Sequence, residues 1–68
     1  MQELIFLVEE AAEGGYNARA ANTSIFTEAD TLEQLRQNIR AAVECHFGDG
    51  QIPPIIRLHI VREEILTA

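Results

Sequence analysis

Apolar positions along the chain change their period twice, and these changes divide it into elements. From Gln2 to Glu10 the run QELIFLVEE is continuously apolar at its centre. As a strand it sends Leu4, Phe6 and Val8 to one side and Ile5 and Leu7 to the other, so both faces want cover. Ala11 to Gly15 interrupts it with two glycines free to take positive φ, which predicts a turn. Tyr16 to Ala21 resumes as a second, antiparallel strand, whose small side chains at Ala18, Ala20 and Ala21 let a helix approach closely. Asn22, Thr23 and Ser24 are turn residues, and Ile25 to Glu28 reads as a short third strand that completes a meander.

Between Phe26 and Phe47 the period lengthens. Leu32, Leu35, Ile39, Ala42, Val43 and His46 recur at offsets of three and four, the stripe of a single helix that needs apolar cover from a sheet. Thr31 with Gln34, and Asp30 with Glu33, both fit capping-box spacing, so the helix starts near Thr31. Gly48 is placed to end it in a left-handed conformation, and Pro53 with Pro54 forbids continuation. Gly48, Asp49, Gly50 and Gln51 form a flexible polar loop before Ile55 to Arg62. There Ile56, Leu58 and Ile60 alternate with Arg57, His59 and Val61, as in a strand with one core face. In the remaining Glu63 to Ala68, Ile65 and Leu66 extend that strand or cross to a neighbour. The pattern predicts an α+β domain, β-β-β-α-β, in which one helix packs on a three-stranded antiparallel meander joined by a final strand. It spans 1–68 as a single domain.

A chain of 68 residues buries only about 60% of its unfolded surface, so self-association is a natural remedy for a thin stability margin. The two-sided first strand and the tail make Ile5, Leu7, Ile65 and Leu66 the expected oligomer interface. No apolar run reaches the length of a membrane span, and no basic segment followed by an apolar one opens the chain. It therefore reads as soluble and cytoplasmic. Eleven acidic residues against five arginines give a net charge of −6. The arginines are spread along the sequence, which argues against binding nucleic acid directly, and the excess of carboxylates suits a basic partner protein. The same charge also serves solubility.

The residues that invite a chemical reading are few. Cys45, His46 and His59 fall short of the ligand number and spacing of a zinc site, and Cys45 lacks a positioned base. It reads as a packed helix position, and its being the sole cysteine fits a reducing compartment. Glu28, Asp30 and Glu33 resemble Mg²⁺ ligands, but the helix dipole and cap already account for carboxylates there. Gly14 and Gly15 have no helix or lysine to make a phosphate loop of them. Phe6, Tyr16, Phe26 and Phe47 are too scattered to stack bases and read as core. No catalytic, cofactor or metal residue is expected.

Gly15-Tyr16-Asn17-Ala18-Arg19, then Thr27-Glu28-Ala29-Asp30-Thr31-Leu32-Glu33, then Asn38-Ile39-Arg40-Ala41-Ala42 resemble the segments of the HicB-like antitoxin family over nearly the whole chain. The chain departs from that pattern at Ala29, at Gln34-Leu35 and at Asn22-Thr23-Ser24. The resemblance implies a partial RNase H-like fold without that enzyme's catalytic carboxylates. It also implies a role in a toxin–antitoxin system: binding and covering a small basic RNA-cleaving toxin. Many members add a DNA-binding module at the C-terminus; with the chain ending at Ala68, none is expected. The expectation is thus a non-enzymatic binding domain whose contact residues are Glu9, Glu10, Glu13, Glu28 and Asp30. The alternatives are a homo-oligomeric accessory protein of another partner and, last, a small enzyme.

Overall fold

The computed structural model describes residues 3–48 and 50–68. Gln2, expected to open the first strand, and Asp49, expected in the loop after the helix, lie outside the described residues. The elements follow as β1 (Glu3–Glu10), β2 (Tyr16–Ala20), β3 (Phe26–Ala29), α1 (Leu32–Phe47) and β4 (Ile55–Val61). The fold is the expected α+β arrangement. β1, β2 and β3 form an antiparallel meander. β4 crosses over the sheet from the end of α1 and pairs parallel with β1, giving the order β3-β2-β1-β4.

Register decides the faces. Phe6 stands opposite Ala20 on β2 and Leu58 on β4, while Val8 stands opposite Ala18 and Ile60. With Leu4, Ile25, Leu35, Ile39 and Val43, the residues Phe6, Val8, Ala18 and Ala20 make the buried core. The backbone of α1 comes within 8 Å of β2 and β3 but not of β1 or β4. Side-chain size explains the offset, because the alanines of β2 and Ala29 of β3 let the helix settle there, whereas Leu4 and Phe6 hold it away from β1. Ile56 and Leu58 of β4 are consequently only half covered.

The turn between β1 and β2 closes as expected. Ala11 N–H donates to Gly15 O and Gly14 N–H to Ala11 O, both at 3.0 Å, with Gly14 and Gly15 at positive φ. At the helix start Thr31 is the cap, its hydroxyl accepting from Gln34 N–H at 3.1 Å. Only that half of the capping box forms. The Gln34 amide turns forward to donate to Asn38 Oδ1 at 2.9 Å instead of back to the cap. Gly48 ends the helix with φ 73° and ψ −180°, an extended positive-φ conformation rather than the left-handed helical one expected, its N–H bonded to Glu44 O.

Four side chains expected in the core are outside it, the first being Ile60, 44% exposed on β4 where the helix's offset leaves the sheet edge bare. Cys45 is exposed, since it follows Val43 by two positions and so lies about 200° around the helix from it. His46 is exposed on the last turn, where α1 passes over the Asn22–Ser24 turn and Nε2 meets Thr23 Oγ1 at 3.1 Å. Phe26 is 61% exposed, because its register opposite Arg19 puts it on the sheet face that carries no helix.

Candidate functional site

The topology gathers carboxylates. β1 ends, β2 begins, β3 ends and α1 begins at the same end of the sheet, and parallel β4 ends there too. Glu9, Glu10, Glu13, Glu28 and Asp30, scattered over twenty-two positions of sequence, are therefore brought to one end of the domain, with Glu33 of the first helical turn beside them. All are exposed. Carboxylates near a helix N-terminus are favoured by its dipole, so Asp30 and Glu33 sit there at little electrostatic cost.

Within this end the five do not form one cluster. Glu13 and Asp30 line a groove of about 470 Å³ together with Ala11, Gly14, Tyr16, Ala29, Gln34, Asn38 and Glu28, the last presenting its backbone there because strand alternation carries its side chain to the other face. Its helix side is fixed by a short relay, in which Thr31 caps Gln34, Gln34 donates to Asn38, and Asn38 Nδ2 donates to the Glu28 carbonyl oxygen at 3.1 Å. That last bond ties α1 to the end of β3. Gly15 lets the wall close, passing so near β3 that an added Cβ would lie 2.9 Å from Ala29 O. Glu9 lies instead on the uncovered face, in a row with Asn17 and Glu28 by register. Glu10 pairs with Arg62 at 3.4 Å.

The uncovered face has a different character. Leu7 stands between Arg19 and His59, Ile5 is registered with Arg57, and Phe26 adjoins Arg19. Its apolar centre is thus flanked by basic groups, although Arg57 is paired with Glu3. Ile5 and Leu7 lie here, while Ile65 and Leu66 lie on the tail beyond β4, so the four residues expected at an oligomer interface are in two separate places. The sheet also separates His59 from Cys45 and His46 on the helix side. Among the described residues, no group of three or more His, Cys, Asp or Glu is placed to hold a metal ion.

Sequence reasoning missed the amides and the ring of the groove, Gln34, Asn38 and Tyr16. Gln34 and Asn38 stand four residues apart on the helix, the spacing at which side chains meet, and that was the available signal. It missed as well that Arg36 and Arg40, at the same spacing, border a second groove of about 230 Å³ with Ile39, Ile56 and Leu58. This groove is the space left between α1 and β4 by the helix's offset toward β3.

A four-stranded sheet covered on one face by one helix, in the order β-β-β-α-β, places the chain among small α+β domains. The chain belongs to the UPF0150 protein family. A UPF0150 protein of Archaeoglobus fulgidus is 52% identical over 52 residues, which are 76% of this chain and 77% of that relative. One of Thermotoga maritima is 37% identical over 62 residues, 91% of this chain and 87% of the relative. No family model and no solved structure matches the chain. Among the described residues, no helix is long and apolar enough to cross a membrane.

Proposed function

We propose that the domain is a non-enzymatic protein-binding module of antitoxin type, which covers a small basic RNA-cleaving protein with the acidic end of its sheet. The observation that carries this reading is the groove lined by Glu13 and Asp30 at an end that also holds Glu9, Glu10, Glu28 and Glu33, in a chain of net charge −6. A basic surface is drawn to such an end from a distance and fixed there by hydrogen bonds to carboxylates and amides. The uncovered sheet face suits a basic partner less, because its centre is apolar, with Ile5, Leu7 and Phe26 around Arg19. The segments that resemble HicB-like antitoxins, Tyr16 to Arg19 and Thr27 to Glu33, build two walls of the groove, which supports the same reading.

The test is affinity capture at low salt with the wild type and with a variant carrying Glu13→Lys, Glu28→Lys and Asp30→Lys, followed by an RNA-cleavage assay on the captured protein. The reading expects a basic protein held by the wild type alone, released as salt rises, and able to cleave RNA only when released. Equal capture by both forms, or a released protein without RNA cleavage, would overturn it.

A further inference from the structure

We propose that two copies of the chain exchange their C-terminal segments, residues 63–68 of each lying in the groove between α1 and β4 of the other. The tail leaves the domain along the line of β4. The molecule measures 52 Å in its longest direction against 20 and 18 Å in the others, and Ile65 and Leu66 are 82% and 85% exposed. Adjacent branched aliphatic side chains this bare, on a chain with so small a core, are a surface made to be covered.

The groove offers what the tail lacks. Its floor is Ile39, Ile56 and Leu58, and its rim is Arg36 and Arg40. The two ion pairs, Arg57 with Glu3 and Arg62 with Glu10, leave Arg36, Arg40, Glu63 and Glu64 without one among the described residues. In the extended sequence Glu63-Glu64-Ile65-Leu66, either side of the chain presents one carboxylate and one aliphatic group, about 6.6 Å apart along the strand. Charge and apolar groups therefore match in kind, a carboxylate for the arginine rim and an aliphatic group for the floor.

The occupant is a second copy rather than the chain's own tail. Returning to Ile56 and Leu58 would require the chain to reverse after Val61, and VREEILTA contains no Gly, Pro, Asn or Asp to make the turn. The tail also departs from the acidic end of its own domain, where Glu63 and Glu64 are repelled. A reciprocal exchange about a two-fold axis fills both grooves and leaves no further tail to recruit a third copy.

Sedimentation equilibrium of the full chain tests this with two variants, one carrying Arg36→Glu and Arg40→Glu, the other Glu63→Arg and Glu64→Arg. The wild type is expected to be a dimer, and each variant to dissociate on the order of 100-fold more readily. Mixed one to one, the variants should form a heterodimer, because each groove again meets a tail of opposite charge. All four positions are exposed, and circular dichroism confirms that the variants remain folded. A monomeric wild type overturns the proposal, whether or not its tail amides are protected from exchange by its own groove. So does a dimer that survives both reversals, or one abolished by Ile5→Asp alone, which gives the interface to the uncovered sheet face. These outcomes are independent of RNA cleavage by a captured protein, so this inference and the antitoxin reading fail separately.

Discussion

Gly15 passes hard against Ala29: a Cβ on Gly15 would stand 2.9 Å from the Ala29 carbonyl oxygen and 3.4 Å from Asp30 Cα. Gly15 also holds φ at +82°. Neither obstacle yields easily, since the oxygen belongs to the backbone of a strand and the angle disfavours any side chain. Gly15→Ala is expected to destabilise the domain by about 2 kcal/mol or more. Gly14, with φ +103° but nothing within 4 Å, carries only the conformational part, so Gly14→Ala should cost less. Urea midpoints of the two variants check the order, and equal losses would mean that the wall against Ala29 relaxes.

Ile39 is fully buried in the middle of the helix stripe, between Leu35 and Val43. Truncation to alanine leaves a cavity that the sheet beneath cannot collapse to fill, and Ile39→Ala should cost about 2 to 5 kcal/mol, a large part of what so small a domain has. Cys45→Ala on the exposed side of the same helix should change stability by less than about 0.5 kcal/mol. Thermal unfolding of the pair measures the contrast.

Much of this fold was legible because its core obeys simple periods. The alternation of Leu4, Phe6 and Val8 and the four-residue spacing of Leu35, Ile39 and Val43 name most of the buried side chains directly. What was not legible depends on where the helix sits across the sheet. Its shift toward β3 opens the groove at Arg36 and Arg40, and it is set by the sizes of Ala18, Ala20 and Ala29 against Leu4 and Phe6, a comparison between strands that requires the register. Phe26 was misplaced because its apolar bulk was read as core: alternation puts it with Arg19 on the face without a helix, while its neighbour Ile25 enters the core. The five acidic residues at one end follow from connectivity, and β4, by pairing parallel to β1, brings Arg62 to that end as well.

Thr31 satisfies one amide at the start of α1 and does so without the reciprocal contact of a full capping box. Thr31→Ala should therefore cost about 1 kcal/mol, the worth of a single cap bond. Gln34→Ala keeps the cap, because only its backbone N–H is used there, but removes the side chain that orients Asn38 toward the Glu28 carbonyl. The expected outcome is a small loss of stability with faster amide exchange at the β3–α1 junction. Exchange rates measured residue by residue by NMR separate the two effects, and an unaffected junction in Gln34→Ala would show that Asn38 holds its bond unaided.

The acidic end is expected to act through rate before it acts through fit. Glu13 and Asp30 are exposed, make no ion pair among the described residues, and stand beside Glu28 and Glu33. Their field therefore reaches a basic partner before contact instead of being cancelled at the surface. Glu13→Lys with Asp30→Lys should slow association with the captured basic protein by about tenfold or more and flatten its dependence on salt, with unfolding midpoints little changed. Glu10 is compensated by Arg62, so Glu10→Gln should slow association much less, and the difference distinguishes a local contact from a general effect of net charge. Stopped-flow association at several salt concentrations reads both. If the double reversal and Glu10→Gln slow association in simple proportion to the charge they change, the groove has no special part in docking, and the contact must be sought elsewhere on the domain.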